Sequence, residues 1–148
     1  MPAFGSTSPS ASLIDIDATF LPVGQMRQIS RVTRLAEAMI DAEVDLGPCH
    51  WVYPQHFPGD PIFPGTLMIE AAGQLVALWA WAHGQRGRPR LVRTGAEFHS
   101  PVGPTASHLL LRAEVRRKRH LHFATIQIWV AETCVATVEA VLAVLPAA

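Results

Sequence analysis

The stretch GTLMIEAAGQLVALWAWAH, residues 65–83, decides the fold. Its single charged side chain is Glu70, and its apolar residues fall on nearly all sides of a helix, which predicts a helix that is buried all round. Gly84 follows at once and can end such a helix in the left-handed conformation. The stretch also contains Gln74 and His83, and it lacks the length and apolar purity of a membrane span. A helix of this kind has to be enclosed by the rest of the chain.

The segments around this helix have the patterns of strands and can supply the enclosure. Before it, residues 36–46 alternate apolar and acidic side chains, as in a half-buried strand. After it, four strands are predicted, over residues 91–98, 108–116, 121–130 and 134–145. The junctions at 117–120 and 131–133 are short enough for hairpins, which indicates an antiparallel meander. The expected fold class is α+β, a long central buried helix wrapped by a curved antiparallel sheet.

Composition limits what the chain can be. Its 148 residues suit a single domain, which we expect over residues 20–148, after a disordered leader over 1–19 whose start is rich in Ser, Pro, Ala and Gly. With 49% hydrophobic and only 16% charged residues, the chain is not intrinsically disordered, and an oligomer is favoured. The zero net charge argues against nucleic-acid binding. Two cysteines and no recognisable signal peptide predict a reducing, cytoplasmic compartment without a membrane.

The segment before the helix carries the residues that indicate chemistry. His56 can transfer protons near neutral pH, and the five prolines between residues 47 and 64 stiffen its loop. Gly65 lets a ligand approach the free N–H groups of the first helical turn, which can bind an oxyanion. Glu70 lies in an apolar helix, where desolvation favours its protonated form, as a general acid requires. Gln74, at i+4, can hold that carboxyl. His56 and Gly65 alone have commoner structural explanations, and Glu70 in an apolar helix fits a structural and a functional role equally well, but together they favour acid/base chemistry.

The pattern H-F-P-G-x-P-x-x-P-G-x-L-x-x-E-A-x-x-Q over residues 56–74 resembles a known active-site signature. It is that of the β-hydroxyacyl-acyl carrier protein dehydratases of the FabZ type, which adopt the hotdog fold. The related FabA-type enzymes, which also isomerise their product, carry aspartate where this chain has Glu70. The resemblance therefore implies plain dehydration of (3R)-hydroxyacyl thioesters to trans-2-enoyl thioesters, with no metal and no organic cofactor.

The resemblance also implies a role for each residue. His56 would take the α-proton, the N–H of Gly65 would stabilise the thioester oxygen, and Glu70 would protonate the leaving hydroxyl. The carbonyl of Ile62 would fix the tautomer of His56, and Gln74 would orient Glu70. In the family the site is assembled between two subunits, which implies a homodimer or a trimer of dimers and leaves open a heterodimer with a second hotdog subunit. The walls of the substrate tunnel would include Phe57, Phe63 and Pro64.

A basic region indicates where a carrier would bind. Residues 86–120 contain nine basic and two acidic side chains. Because acyl carrier proteins are acidic and bear a phosphopantetheine phosphate, the resemblance implies docking on a basic rim, although a solvated surface is the simpler explanation for residues 116–119. The residues assigned to this docking are Arg86, Arg88, Arg90 and Arg93.

Two stretches depart from the family pattern and leave alternatives open. Residues 21–24 read Leu-Pro-Val-Gly where the family has leucine-proline-histidine-arginine, and residues 98–105 lack the usual arginine pair. These departures suggest a specialised polyketide-like or polyene-type pathway beside ordinary fatty acid synthesis. The alternative functions are a hotdog thioesterase, a CoA-dependent enoyl hydratase, or a non-catalytic hotdog subunit of a heteromeric dehydratase.

Overall fold

In the computed structural model, residues 19–148 are described, and they form one antiparallel sheet around one long helix. A short 3-10 helix, Gly24–Met26, precedes the first strand. The elements that follow are β1 (Arg31–Leu35), β2 (Met39–Asp45), α1 (Gly65–Ala82), β3 (Arg88–Phe98), β4 (His108–Lys118), β5 (Leu121–Val130) and β6 (Thr133–Leu145). The strand order β1-β2-β4-β5-β6-β3 leaves β1 and β3 at the two edges. The leader predicted over 1–19 lies outside the described residues except for Thr19.

The prediction of a long helix enclosed by a curved antiparallel sheet is confirmed, and the helix is buried over most of its length, although Thr66 is exposed and Glu70 is half-buried. Leu75 and Val76 of α1 are fully buried. The inner face of the sheet meets the helix with one apolar side chain after another, because alternate residues of each strand point to the same side. Fully buried examples from four strands are Ile40, Leu111, Ile126 and Val138. Gly84 has a φ of +88°, the left-handed conformation expected just after the helix.

The strand predicted over residues 36–46 is wrong at its start. Ala36 donates its N–H to the carbonyl of Met39 at 2.8 Å, so residues 36–38 form a turn that joins β1 to β2. Ala36 and Ala38 are small enough for the turn as well as for a strand, so the alternating pattern predicted that the strand begins too early. β1 is absent from the prediction because Arg31 and Arg34 interrupt its apolar residues, as is common at a sheet edge.

A buried ion pair joins β2 to β4 on the outer face of the sheet. Asp41 has no exposed surface, and Arg112 lies directly opposite it in the register of the two strands. The guanidinium donates from Nε to Oδ1 and from Nη2 to Oδ2, each at 2.7 Å. This bidentate geometry satisfies both carboxylate oxygens, which is what makes a buried charge tolerable.

A second buried polar group has no such partner. His122 of β5 is fully buried, with its ring edge towards Trp79 at a centroid distance of 5.9 Å. Neither ring nitrogen has a hydrogen bond of ordinary geometry within residues 19–148. Burial lowers the pKa of His122, and the backbone groups of Leu142 and His120 offset that effect only in part. The folded chain therefore holds this imidazole in its neutral form.

We expect the free energy of unfolding to fall as the pH drops below about 6.5, the ordinary value for an unfolded histidine. The unfolded chain then binds a proton that buried His122 resists, so stability is lost as the pH falls. His122→Leu should remove this contribution, which is at most about 1.4 kcal/mol per pH unit. Urea unfolding between about pH 5 and 8 measures it. The exposed neighbour offers the control, His120→Gln, and an unchanged pH slope in His122→Leu would contradict the assignment.

Among residues 19–148, no helix is both long and apolar enough to cross a membrane.

Candidate active site

The loop that carries His56 is held closed by its own backbone. The N–H of His56 donates to Val52 O at 2.9 Å, and the N–H of Ile62 donates to His56 O at 2.9 Å. Between these contacts, Phe57 and Asp60 exchange two backbone hydrogen bonds of 2.8 Å. Gly59 completes this tight turn with a φ of +80°, which favours glycine. The peptide His56–Phe57 is cis.

The imidazole of His56 is oriented by the same loop. Its Nδ1 lies 3.2 Å from the carbonyl oxygen of Ile62. Because a carbonyl oxygen only accepts, this contact assigns the ring proton to Nδ1 and leaves Nε2 as the basic nitrogen. The ring of Phe57 stacks on the imidazole at a centroid distance of 4.0 Å. The side chain of His56 is half-buried, so Nε2 is fixed in direction and still within reach of a substrate.

The first turn of α1 presents N–H groups that no part of the described chain uses. Pro64 is the N-cap residue and supplies no side-chain cap, while its carbonyl accepts from Leu67 and Met68. Within residues 19–148, the N–H groups of Gly65 and Thr66 have no hydrogen-bond partner. Such groups at the positive end of a helix favour a negatively charged oxygen.

Phe98 lies against this helix end, and it is not among the residues that the sequence pattern assigned to the site. A Cβ atom added to Gly65 would lie only 2.6 to 3.0 Å from three atoms of the Phe98 ring. Phe98 ends β3 and is 50% exposed. Only glycine therefore lets this ring cover the first turn of α1. Gly65 and Phe98 lie far apart in the sequence, so no local pattern predicts this contact.

We expect Gly65→Ala to lower kcat/KM by roughly 10²-fold, the cost of a misplacement of about 1 Å at a reacting centre. The new methyl group must either push the half-exposed Phe98 ring aside, which uncovers the N–H groups of the first turn, or shift the helix start that carries them. Steady-state kinetics measures the loss. Gly73→Ala is the matched control in the same helix, because a Cβ there meets open space. Retained activity in Gly65→Ala would show that this close approach is not needed.

Glu70 is half-buried on α1 and is held by the side chain one turn further on. Nε2 of Gln74 donates to Oε2 of Glu70 at 2.8 Å, and Gln74 is 3% exposed. The contact that the i+4 spacing suggested is therefore present. Within residues 19–148, Glu70 and His56 form no ion pair or hydrogen bond with each other. One chain thus orients the two groups by separate means without joining them.

The residues assigned to the substrate tunnel have different surroundings. Phe57 is 49% exposed beside His56, whereas Phe63 is 2% exposed and packs its ring edge against His50. Pro64 is buried at the helix start. A groove of about 880 Å³ crosses the outer face of the sheet, and neither His56 nor Glu70 lines it.

The arginines assigned to carrier docking lie on β3 and the turn before it, all exposed. Arg93 and Arg90 share two cross-strand rows of the outer face with side chains of β4. The registers that define these rows are Arg93–Val141–Phe123–Arg116 and Arg90–Ala143–Leu121–Lys118. No salt bridge links any of these four cations to a carboxylate within residues 19–148. We call these four cations, which lie on one face of the sheet beside a row that holds Glu139 and Glu114, the basic surface.

This basic surface is remote from the helix start of the same chain. β3 has 11 residues, with Arg88 at one end and Phe98, which touches Gly65, at the other. At 3.3 Å per residue the strand spans about 33 Å. The sequence grouped these arginines with the site; the fold places Arg88 and Arg90 towards the opposite end of the strand and Arg93 at its middle.

Comparison with solved structures gives the same fold in proteins of low identity. A dehydratase heterocomplex from Xenorhabdus doucetiae matches with a TM-score of 0.71 and 16% identity, over 85% of this chain and 88% of that chain. A thioesterase from Haemophilus influenzae matches with a TM-score of 0.62 and 16% identity, over 78% of each chain. A virulence protein from Campylobacter jejuni has a TM-score of 0.67 and 9% identity, over 91% and 86%. At such identities the likeness concerns the fold alone, and that fold is the hotdog fold.

The family follows from the sequence match. The family model described as a FabA-like domain matches residues 21–139, which include the His56 loop, all of α1 and most of the sheet. The match covers far more than half of the chain, and the chain therefore belongs to the FabA-like domain family.

Proposed function

We propose that this chain is a dehydratase of the FabZ type, acting on (3R)-hydroxyacyl thioesters carried by an acyl carrier protein. The observation that carries the proposal is the fixed tautomer of His56, whose Nδ1 faces Ile62 O at 3.2 Å and whose Nε2 is left as a base. Membership of the FabA-like family and the half-buried carboxyl of Glu70 support it. The roles proposed for these residues require neither a metal nor an organic cofactor.

The proposed reaction is a β-elimination in which the protein takes one proton from the substrate and gives one proton to the leaving group. Nε2 of His56 takes the proton from C2, and the electron pair of that C–H bond becomes the C2–C3 double bond. The C3–O bond breaks, and Glu70 gives its proton to the departing hydroxyl, which leaves as water. The N–H of Gly65 stabilises the charge that develops on the thioester oxygen. Proton return from the imidazolium to the carboxylate restores the starting state.

A two-chain site explains why His56 and Glu70 are oriented separately within one chain. Among residues 19–148, β3 is an edge strand with β6 as its one neighbour, and its Leu91 and Val92 are 45% and 61% exposed, which is unusual for apolar side chains on a long edge. Pairing β3 with β3 of a second chain about a two-fold axis is antiparallel. We assign a dimer to this edge, with His56 of one subunit facing Glu70 of the other. A trimer of dimers would combine three such pairs. A second hotdog subunit, as in the structurally similar dehydratase heterocomplex, would pair along the same strand.

The antiparallel pairing also gives the basic surface a function. It would bring the arginine end of one β3 beside the Phe98 end of the other, and so beside the partner's helix start. An acidic carrier protein could then dock on one subunit while its thioester enters the neighbouring site. The 33 Å separation within one chain is then no obstacle to a role in docking.

Product analysis tests the reaction directly. The purified chain, incubated with 3-hydroxyacyl carrier proteins, should form the conjugated enoyl thioester, seen by its ultraviolet absorbance and by a mass loss of one water. Saturated and polyenoyl substrates compared side by side would show which pathway the tunnel suits. Release of free carrier thiol without water loss would identify a thioesterase and contradict the proposal.

Reversing two charges of the basic surface should raise KM for carrier-bound substrate by at least about 10-fold. The variant Arg90→Glu with Arg93→Glu removes the attraction for an acidic carrier while leaving kcat for a small thioester mimic unchanged. Arg34→Glu, on the opposite sheet edge, is the control. Equal effects on the carrier-bound and the small substrate would contradict docking at this surface.

A further inference from the structure

The carboxamide of Gln74 connects Glu70 to a second part of the chain. Its Oε1 accepts from the backbone N–H groups of Gln28 at 2.9 Å and Ile29 at 3.3 Å. Its Nε2 donates to the carbonyl of Met26 at 2.7 Å as well as to Oε2 of Glu70 at 2.8 Å. We call residues 26–29, which lead from the 3-10 helix towards β1, the strap.

These contacts determine which end of the carboxamide faces Glu70. A backbone N–H only donates, so the atom that faces Gln28 N and Ile29 N has to be the oxygen. The nitrogen then faces Met26 O and Glu70. A flipped carboxamide would set its nitrogen against two donors and its oxygen against two acceptors, with Gln74 only 3% exposed to compensating water. The strap therefore keeps an N–H directed at Glu70.

We propose that the strap, through Gln74, places the transferable proton of Glu70 on Oε1. The inference rests on the proposed dehydratase function and names the atom that delivers the proton. Oε2 already accepts from Nε2 of Gln74 at 2.8 Å, and the oxygen of a carboxyl group that bears the hydrogen is the poorer acceptor. The protonated form with its hydrogen on Oε1 keeps this contact at full strength, whereas the form with hydrogen on Oε2 offers Gln74 the weaker acceptor.

The same contact acts during the elimination. When the O–H bond at Oε1 breaks, its electron pair stays on Glu70 and the proton joins the leaving hydroxyl to form water. The new carboxylate then receives a charge-assisted hydrogen bond from Gln74, stronger than the bond to the neutral acid. Gln74 is thus a positioning residue, because it acts through Glu70 rather than on the substrate.

The strap is held by more than Gln74. The side chain of Gln28 donates from Nε2 to the carbonyls of Gln25 at 3.0 Å and Met26 at 3.3 Å. Because Gln28→Ala would loosen the strap itself, the control is Gly73→Ala, next to Gln74 on the helix, where an added Cβ meets open space. The charged groups of the two facing elements are Glu70 on the helix and Arg27 on the strap, whose Nε donates to Ile29 O at 3.3 Å.

The first test separates kcat from KM. Gln74→Leu should lower kcat about 10- to 100-fold, the value of a hydrogen bond to a charged group, with KM nearly unchanged. Gly73→Ala should leave kcat within about twofold. Equal losses of kcat in the two variants would mean general loosening of the segment and would overturn the inference, as would full kcat in Gln74→Leu.

The second test uses a signature that a structural role would not produce. In Gln74→Glu the new side chain still accepts from Gln28 N and Ile29 N, but its other oxygen needs a proton to face Met26 O and Glu70. Two carboxyls so close share a proton at low pH and repel when both ionise. Activity should therefore persist at acid pH and fall as the pH rises, in excess of any fall in the unaltered chain. An unchanged pH profile would overturn the inference.

Hydrogen exchange distinguishes a failure of this inference from a failure of the proposed dehydratase function. The amides of Gln28 and Ile29 should exchange at least about 10-fold faster in Gln74→Leu than in the unaltered chain, whatever reaction the protein performs. Equal exchange would overturn the role of the strap even in an active dehydratase. An unaltered chain that forms no enoyl product, yet shows the exchange difference, would refute the dehydration and with it the assignment of the proton to Oε1.

Discussion

Replacing either proton-transfer group should lower kcat/KM for dehydration by about 10²- to 10⁴-fold, the usual cost of removing a general base or acid. Glu70→Gln keeps the shape of the side chain, and its amide oxygen can still accept from Nε2 of Gln74. The amide has no proton to give to the leaving hydroxyl. His56→Ala removes the base outright, together with its contact to Ile62 O.

The loss of that contact calls for a variant that spares the loop. In His56→Asn, the side-chain amide can still donate to Ile62 O but cannot act as a base near neutral pH. All three variants should keep the thermal unfolding midpoint within a few degrees of the unaltered chain. Steady-state assays with a 3-hydroxyacyl carrier protein measure the losses. Substantial activity in both His56→Asn and Glu70→Gln would contradict the proposed mechanism.

Mixing the two inactive variants should restore activity, to about one quarter of the unaltered enzyme, if the site joins two chains. Random exchange of subunits gives mixed dimers as half of the population, and each mixed dimer holds one intact site out of two. The sites that combine His56→Asn with Glu70→Gln are inactive. Against a background lowered by at least about 10²-fold, such a recovery is easily measured.

The control is the double variant, His56→Asn with Glu70→Gln in one chain, mixed with each single variant. No combination of these contains an intact site, so activity should stay low. Subunit exchange can be followed separately by mass spectrometry of differently labelled chains. Exchange without recovery would show that both residues act within the same chain and would refute the two-chain site.

Local patterns were sufficient to predict the main elements of the fold. The apolar run of α1 predicts a buried helix whatever surrounds it, and Gly84 marks its end through backbone conformation alone. The hairpins between β4, β5 and β6 follow from short junctions. β1 could not be predicted in this way, because only its pairing with β2 across the turn at residues 36–38 makes it a strand.

The candidate site shows the same division between local and distant contacts. The contact between Glu70 and Gln74 follows from helical spacing, since residues four apart share a face. The strap lies 45 to 48 residues from Gln74 in the sequence, and Phe98 lies 33 residues after Gly65. Nothing local to these segments indicates that they meet. The position of the basic surface relative to the site likewise depends on the direction in which β3 runs along the sheet.

The ion pair between Asp41 and Arg112 constrains how this sequence can change over evolutionary time. Losing either partner alone leaves its counterpart charged and unpaired in a buried environment, at a cost of roughly 3–5 kcal/mol. This cost is a large share of the free energy of unfolding of a small domain. Replacing both with matched apolar side chains is nearly neutral. The two positions are therefore expected to change together or not at all, so a paired change at both would help to align distant relatives of this chain.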